Sequence, residues 1–373
     1  MEWHFIIGKI IVILILIIGN NLLININVFI FKKIRKYLDI CLKEIVYNKK
    51  CTLTNKNIKI SVIIPIFNCE NSIKLSINSI ENQNLQNFEI ILINDFSTDN
   101  SKIVIENIQK EEPRIFIINN NKNMGTLYSR NIGVLAARGK YILALDNDDL
   151  FINEDLFHKI YKEAEKKKYD IIEFKTIIGY NYYSNITEMK DDPFIKNKNN
   201  IVVYQPELSL FSLTNNDVHI WGKGIKTEIY KKAVNFLGRR SYSIYLCYSE
   251  DDVMIFLLFK LSDSFKSINK YGLFHLISNK TASFYLSKNH ILFSKIYFMN
   301  FLFDYTKNNF EEKKYVVIYS IKFLNRFFSK ISLNKENRDY LNLVLKKILN
   351  TSFISENDKQ ILITKFKNFT SII

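Results

Sequence analysis

From Lys59 onward, short apolar runs alternate with stretches of helical spacing. Ile60-Ser61-Val62-Ile63-Ile64-Pro65 is a β-branched run closed by proline, as expected of a strand buried on both faces. Ile73, Ile77 and Ile80 then recur at the helical interval. Phe88–Ile93 predicts a second strand, and its polar tail, Asn94-Asp95-Phe96-Ser97-Thr98-Asp99, can cap a helix carrying Ile103, Ile105 and Ile108. Arg114–Ile118 predicts a third strand, and Leu127–Arg138 a helix that Gly139 ends. Tyr141–Leu145 is a fourth strand, Asn153 can cap the helix after it, and Tyr169–Phe174 is a fifth strand. Strands separated by single helices imply parallel pairing with right-handed crossovers. The expected fold is therefore α/β, a doubly wound and mostly parallel sheet flanked by helices.

Residues 175–206 have poor periodicity and predict loop or irregular β structure. Val253–Phe259 suits a helix and Tyr271–Ser278 a strand. Beyond His290 the chain is aromatic, lysine-rich and helical in pattern to its end. Ahead of the alternating region, Phe5–Phe31 is apolar over the length of a membrane-spanning helix, which needs about 20 residues. It carries Lys9 and several asparagines, and the basic cluster Lys32-Lys33-Ile34-Arg35-Lys36 follows at once. This predicts a retained single-pass anchor with the bulk of the chain facing the cytosol. Two triplets, Asn185-Ile186-Thr187 and Asn279-Lys280-Thr281, have the form of glycosylation acceptors and argue for the opposite topology. The expected organisation is an anchor and basic flank at 1–36, a linker at 37–58, a catalytic domain at 59–285 divided near 150, and a helical region at 286–373.

Composition narrows the partners. The 373 residues are 47% hydrophobic, enough for a large core, and the net charge is +15. The lysines are scattered and lie in no recognisable nucleic-acid module, so a membrane surface or a phosphorylated substrate accounts for the charge better. Cys41, Cys51, Cys69 and Cys247 have neither metal-ligand spacing nor the density of a disulfide framework.

The chemistry concentrates at Asp146-Asn147-Asp148-Asp149, where the fourth strand leaves the sheet. Ligands of open α/β sheets gather at the carboxyl ends of strands. Clustered hard oxygens there suit Mn²⁺ or Mg²⁺ carrying a phosphate, and an Asx-rich turn capping the next helix is the plainer alternative.

Four pieces in order carry a family resemblance. They are Ser61-Val62-Ile63-Ile64-Pro65-Ile66-Phe67-Asn68; Glu89 to Asp99; Asn123-Met124-Gly125 with Ser129-Arg130-Asn131-Ile132-Gly133; and Ala137-Arg138-Gly139-Lys140-Tyr141-Ile142 running into Asp146-Asn147-Asp148-Asp149. Together they resemble the family-2 glycosyltransferases of the GT-A fold, closely over residues 59–150 and in scattered motifs to 260. The resemblance implies an inverting transfer of sugar from a nucleotide-diphosphate sugar, most simply a UDP-sugar, to a glycan, lipid or protein hydroxyl.

It also implies roles. Pro65, Phe67 and Asn68 would shape the nucleotide pocket. Asp95 would contact the nucleobase, or else cap a helix. Arg130 would sit near the diphosphate or support the acidic loop. Asp146 would hold ribose or metal with Asn147 beside it, and Asp148 the dication, with Asp149 supporting the loop. Trp221 could stack on sugar and Lys223 approach phosphate, core and surface roles being equally open. Glu250-Asp251-Asp252 would supply the general base, Asp251 first and Asp252 second. His275 falls where some relatives carry a phosphate-facing basic residue, though a structural histidine is the simpler expectation. Two rival functions stand beside this one: a degenerate sugar-nucleotide-binding or membrane scaffold, and a nucleotidyltransferase. The loop from Pro65 to Glu70 lacks the glycine and lysine that the latter needs.

Overall fold

The computed structural model describes residues 57–179, 190–191, 202–204, 219–238, 250–277, 288–306, 310–327, 335–352 and 354–366. By contact the chain divides into Met1–Thr52 and Leu53–Ile373, and every described residue belongs to the second unit. The expected anchor at 1–36, nearly all of the 37–58 linker and both Asn triplets lie outside the described residues. Among the described residues, no helix is long and apolar enough to cross a membrane.

The amino-terminal part follows the predicted alternation. Strands β1 (Ile60–Ile66), β2 (Phe88–Asn94), β3 (Ile115–Asn119) and β4 (Tyr141–Ala144) alternate with helices α1 (Ile73–Glu81), α2 (Ser101–Glu111) and α3 (Thr126–Ala136). They pair in parallel in the order β3-β2-β1-β4. Every residue of β1 and β2 is buried, which explains why they are apolar apart from Ser61, Glu89 and Asn94. Val62, Ile64, Ile90 and Leu92 join Ile73, Ile77 and Ile80 of α1 in one core. On the other face, Ile63 and Ile93 press on α3 at Gly133, where a Cβ would lie 2.5 and 2.8 Å from their side chains.

After β4 the sheet departs from the expectation of mostly parallel strands. A two-residue strand β5 (Leu150–Phe151) is followed by α4 (Leu156–Lys167), β6 (Ile171–Gly179) and the short β7 (Lys190–Asp191) and β8 (Val202–Tyr204). Strand β9 (Lys223–Lys226) then inserts antiparallel between β4 and β6, so the sheet is mixed and β6 is displaced from the place beside β4. The full order is β3-β2-β1-β4-β9-β6-β10-β5, with β10 (Ser264–Leu276) parallel to β6 and antiparallel to β5. Strand β9 is hard to see in sequence because packing requires glycine in it. A Cβ on Gly224 would come within 2.7 Å of Ile160 on α4.

Helices α5 (Thr227–Leu237) and α6 (Glu250–Leu261) flank the site. Helices α7 (Lys288–Tyr305), α8 (Phe310–Phe327), α9 (Lys335–Leu349) and α10 (Glu356–Phe366) follow, as the pattern predicts. They begin in contact with the catalytic part: the Tyr305 ring meets Phe236 of α5 at 5.2 Å and Phe256 of α6 at 5.4 Å, both edge-on.

At the amino-terminal edge of the sheet, one buried carboxylate ties three segments together. Glu89 accepts hydrogen bonds from Ser61 Oγ at 2.6 Å, Arg138 N–H at 2.7 Å, and Arg138 Nε and Nη2 at 2.9 and 2.8 Å. Gly139 does not end the helix, since α3 stops at Ala136. It is glycine because a Cβ would lie 2.6 Å from the backbone of Ile60 and Ser61. Removing one partner of such a buried pair strands the other's charge and donors. Glu89→Ala should therefore cost about 3 kcal/mol, read as a lowered urea midpoint with an unchanged denaturant slope.

Candidate active site

The carboxyl ends of β1, β2 and β4 deliver the expected residues to one edge. The Asp146–Asp149 elbow is tied to β1 by Asn147, whose Nδ2 donates to the Pro65 carbonyl at 3.2 Å and whose own carbonyl accepts from Ser76 Oγ at 3.0 Å. Asn68 spans to the next loop, its Oδ1 accepting from the Thr98 N–H at 2.8 Å. Pro65 is buried while Phe67 stands open.

Asp95 is 3% exposed and committed to protein donors. Its oxygens accept from Asn120 Nδ2 at 2.8 Å, Met124 N–H at 2.8 Å and Gly125 N–H at 2.7 Å. Gly125 precedes α3 in a left-handed conformation, so the carboxylate caps that helix. Of the two roles open to Asp95 in sequence, the geometry favours the cap.

Arg130, on the buried flank of α3, joins the two halves of the site. Its Nη1 donates to Asp251 Oδ1 at 2.7 Å and its Nη2 to Asp146 Oδ1 at 3.3 Å, while the side chain is 3% exposed. One guanidinium thus holds the elbow and the α6 carboxylate, which are far apart in sequence. The Ile220 N–H also donates to Asp251 Oδ2, at 3.3 Å. Asp252 is buried at 3% exposure, whereas the Asp251 side chain keeps 18%. Glu250 opens α6, and its side chain lies outside the described set.

The turn before β9 buries both of its candidates, Trp221 in the core role left open for it and Lys223 away from the surface. Trp221 is no open platform for a sugar: His219 stacks on it at 4.2 Å and His275 at 4.9 Å, leaving the residue 6% exposed. Lys223 does not approach a phosphate. It is 1% exposed, with Nζ 3.5 Å from Glu173 on the neighbouring strand and donating to the His219 carbonyl at 2.9 Å.

His275 is the residue that sequence reasoning undervalued. The pairing Phe274↔Leu150 carries it opposite Asp149. Its Nδ1 lies 2.9 and 3.0 Å from the two Asp149 oxygens, and the Leu276 N–H also donates to Asp149 at 3.0 Å. No sequence spacing announces this contact, because an antiparallel register makes it. The group with ligand geometry is Asp146, Asp149 and His275, which each offer one atom within 4.8 Å of the others. The expected partner of Asp146, Asp148, stands beside that group rather than in it. The Asp149 carboxylate on Nδ1 fixes the orientation of the imidazole ring.

The charges in this cluster strain against one another. Burial, then the charges of Asp149 and Asp146, push the Asp148 carboxyl up to about 7 against the pull of His275. Burial would lower His275, but the carboxylates of Asp149, Asp146 and Asp148 outweigh it and raise the imidazole to about 9. Crowded carboxylates under desolvation are what a dication relieves, so the residues fit Mn²⁺ or Mg²⁺ on chemical grounds.

Comparison with known proteins bears on the family and the fold. Residues 61–215 match the family described as Glycosyl transferase family 2. This segment belongs to that family. "Uncharacterized glycosyltransferase EpsJ" of Bacillus subtilis (strain 168) is 33% identical over 150 residues, covering 40% of this chain and 41% of that one. The chain therefore spans about two fifths of that curated relative. Among solved structures, S. aureus TarS 1–349 in complex with UDP superposes with a TM-score of 0.60 at 17% identity, covering 83% of this chain and 88% of TarS. Its complex with UDP-GlcNAc gives 0.59 at 18%, covering 78% and 81%. At that identity the likeness concerns the fold.

A carboxyl raised to about 7 holds its proton in the folded state at pH values where the unfolded chain, at 3.8, has lost it. The folded state then binds more protons, so stability falls as pH rises between those values. Without added metal, Asp148→Asn should melt a few degrees above the wild type at pH 8 and with it at pH 4. Mn²⁺ affinity of the wild type, measured by calorimetry, should fall as pH drops below about 7, because proton and cation compete.

Proposed function

We propose that the chain transfers a sugar from a nucleotide-diphosphate sugar, a UDP-sugar in particular, to an acceptor hydroxyl with inversion and with dependence on a divalent cation. The observation that carries this reading is the Arg130 bridge, which sets a cation-ready acidic elbow beside a second carboxylate, Asp251, held by the same guanidinium and by the Ile220 N–H. The family of residues 61–215 and the UDP and UDP-GlcNAc complexes of the TarS fold support it. We further propose that the apolar segment before residue 32 holds the chain at a membrane, with the catalytic part on the cytosolic side.

Asp146, Asp149 and His275, with Asp148 alongside, would hold the cation, which supplies charge neutralisation for the departing nucleoside diphosphate. The chain's own residues do the remaining work. Asp149 fixes the His275 ring, and Trp221 packs on its face. Arg130 sets the separation of Asp146 from Asp251. Asp251, held by Arg130 and the Ile220 N–H, is oriented before the acceptor arrives, and in this reading takes the proton from the attacking hydroxyl. Inversion needs only this one displacement, with the carboxylate on the face opposite the leaving group.

The test is release of UDP from a panel of UDP-sugars, with Mn²⁺ present and with the metal chelated. Chelation should abolish turnover. Asp251→Asn should bind donor with unchanged affinity and turn over about a hundredfold or more slowly. Wild-type turnover by that variant would remove Asp251 as the base.

A further inference from the structure

Lys223 opens β9 and pairs with Glu173 of β6, so two charged residues oppose each other across an interior ladder of the sheet. Both side chains are buried, at 1% and 0% exposure, with Nζ 3.5 Å from the carboxylate. Neutral groups of similar volume in place of such a pair often leave stability unchanged, so stability alone gives little reason to bury one. What the ammonium adds is a donor aimed at a particular acceptor, the His219 carbonyl, at 2.9 Å.

That bond closes a turn over residues 219–222. At the far end of the turn, the Phe174 N–H of β6 donates to the Gly222 carbonyl at 2.9 Å. Gly222 has φ +76, which glycine takes without strain, and a Cβ there would lie 3.2 Å from Thr176 Oγ1. With the ends tied to β9 and β6, the two residues between them are the ones that meet the reaction centre. The Ile220 N–H donates to Asp251 Oδ2 at 3.3 Å, and the Trp221 ring stacks on His275 at 4.9 Å. Arg130 holds the other Asp251 oxygen, Oδ1, so the turn supplies the second point that fixes the plane of the carboxylate. One buried cation thus stands behind both the α6 carboxylate and the imidazole opposite the acidic elbow.

We infer that Lys223 is a positioning residue: paired with Glu173, its ammonium clamps the 219–222 turn and so holds Asp251 and His275 in their working orientations together. The inference rests on the sugar-transfer reading above and adds to it a group that acts through the turn.

Lys223→Met alone would strand the Glu173 charge in the interior, so the test compares Glu173→Gln with the double variant Glu173→Gln/Lys223→Met. The two should melt within a few degrees of each other. Release of UDP from the UDP-sugar panel with Mn²⁺ should show kcat about tenfold lower in the double variant, with the donor KM unchanged, because orientation and not binding is lost. A second readout needs no turnover. The chain has two tryptophans, Trp3 and Trp221, so in a Trp3→Phe background the fluorescence reports Trp221 alone. Acrylamide should quench it severalfold more strongly in the double variant than in Glu173→Gln. Equal kcat in the two variants, or a kcat that falls only in step with melting temperature, would overturn the inference, as would equal quenching. A wild type that releases no UDP from any sugar donor would overturn the sugar-transfer reading instead, and quenching would then decide the clamp by itself.

Discussion

One buried guanidinium organises the catalytic edge. Arg130 lies on a helix packed between sheet and flanking helices, with almost no exposure, and divides its donors between Asp146 and Asp251. A charge in that position is tolerated only because both carboxylates face it. The dependence also runs the other way. The elbow after β4 and the start of α6 come from separate halves of the chain, and their side chains meet through this group. Helix α3 is in turn placed by its cap on Asp95 and by the closeness that Gly133 allows to Ile63 and Ile93.

Much of the amino-terminal half was legible in the sequence, for a physical reason. Strands covered on both faces are largely apolar, and helices laid on one face of a sheet carry apolar residues at helical spacing. β1 to β4 and α1 to α3 therefore announce themselves. The later half hides because its constraints are not periodic. β9 carries no strand signal because packing requires glycine at position 224, yet it wedges between β4 and β6 and turns a parallel sheet into a mixed one. Lys223 looked like a surface or phosphate-seeking lysine, while its strand pairing buries it against Glu173.

The site shows the same division. Asp146 and Asp148 could be singled out because acids at a strand end have chemical meaning before any fold is known, whereas Arg130 was marked by the family resemblance alone. The contact of His275 with Asp149 could not be read, because an antiparallel register more than a hundred residues from the elbow makes it. Trp221 was legible as part of the site but not as to its use: its faces are filled by His219 and His275, so it steadies the imidazole rather than presenting a surface. The strain at Phe96 lies in a positive φ, which the sequence does not display.

The antiparallel wedge also bears on how the chain is made. Until Lys223–Lys226 emerge, the Tyr141–Ala144 strand has β1 on one side and an open ladder on the other. Such an unpaired edge can capture a neighbouring chain. During synthesis the donor half would be complete in outline while its border stays adhesive, and the same late segment that seals that border carries in Trp221. Asp251 and His275 follow it from the ribosome. Closure of the sheet and completion of the reaction centre are thus nearly one event, and a nascent or truncated product would have neither.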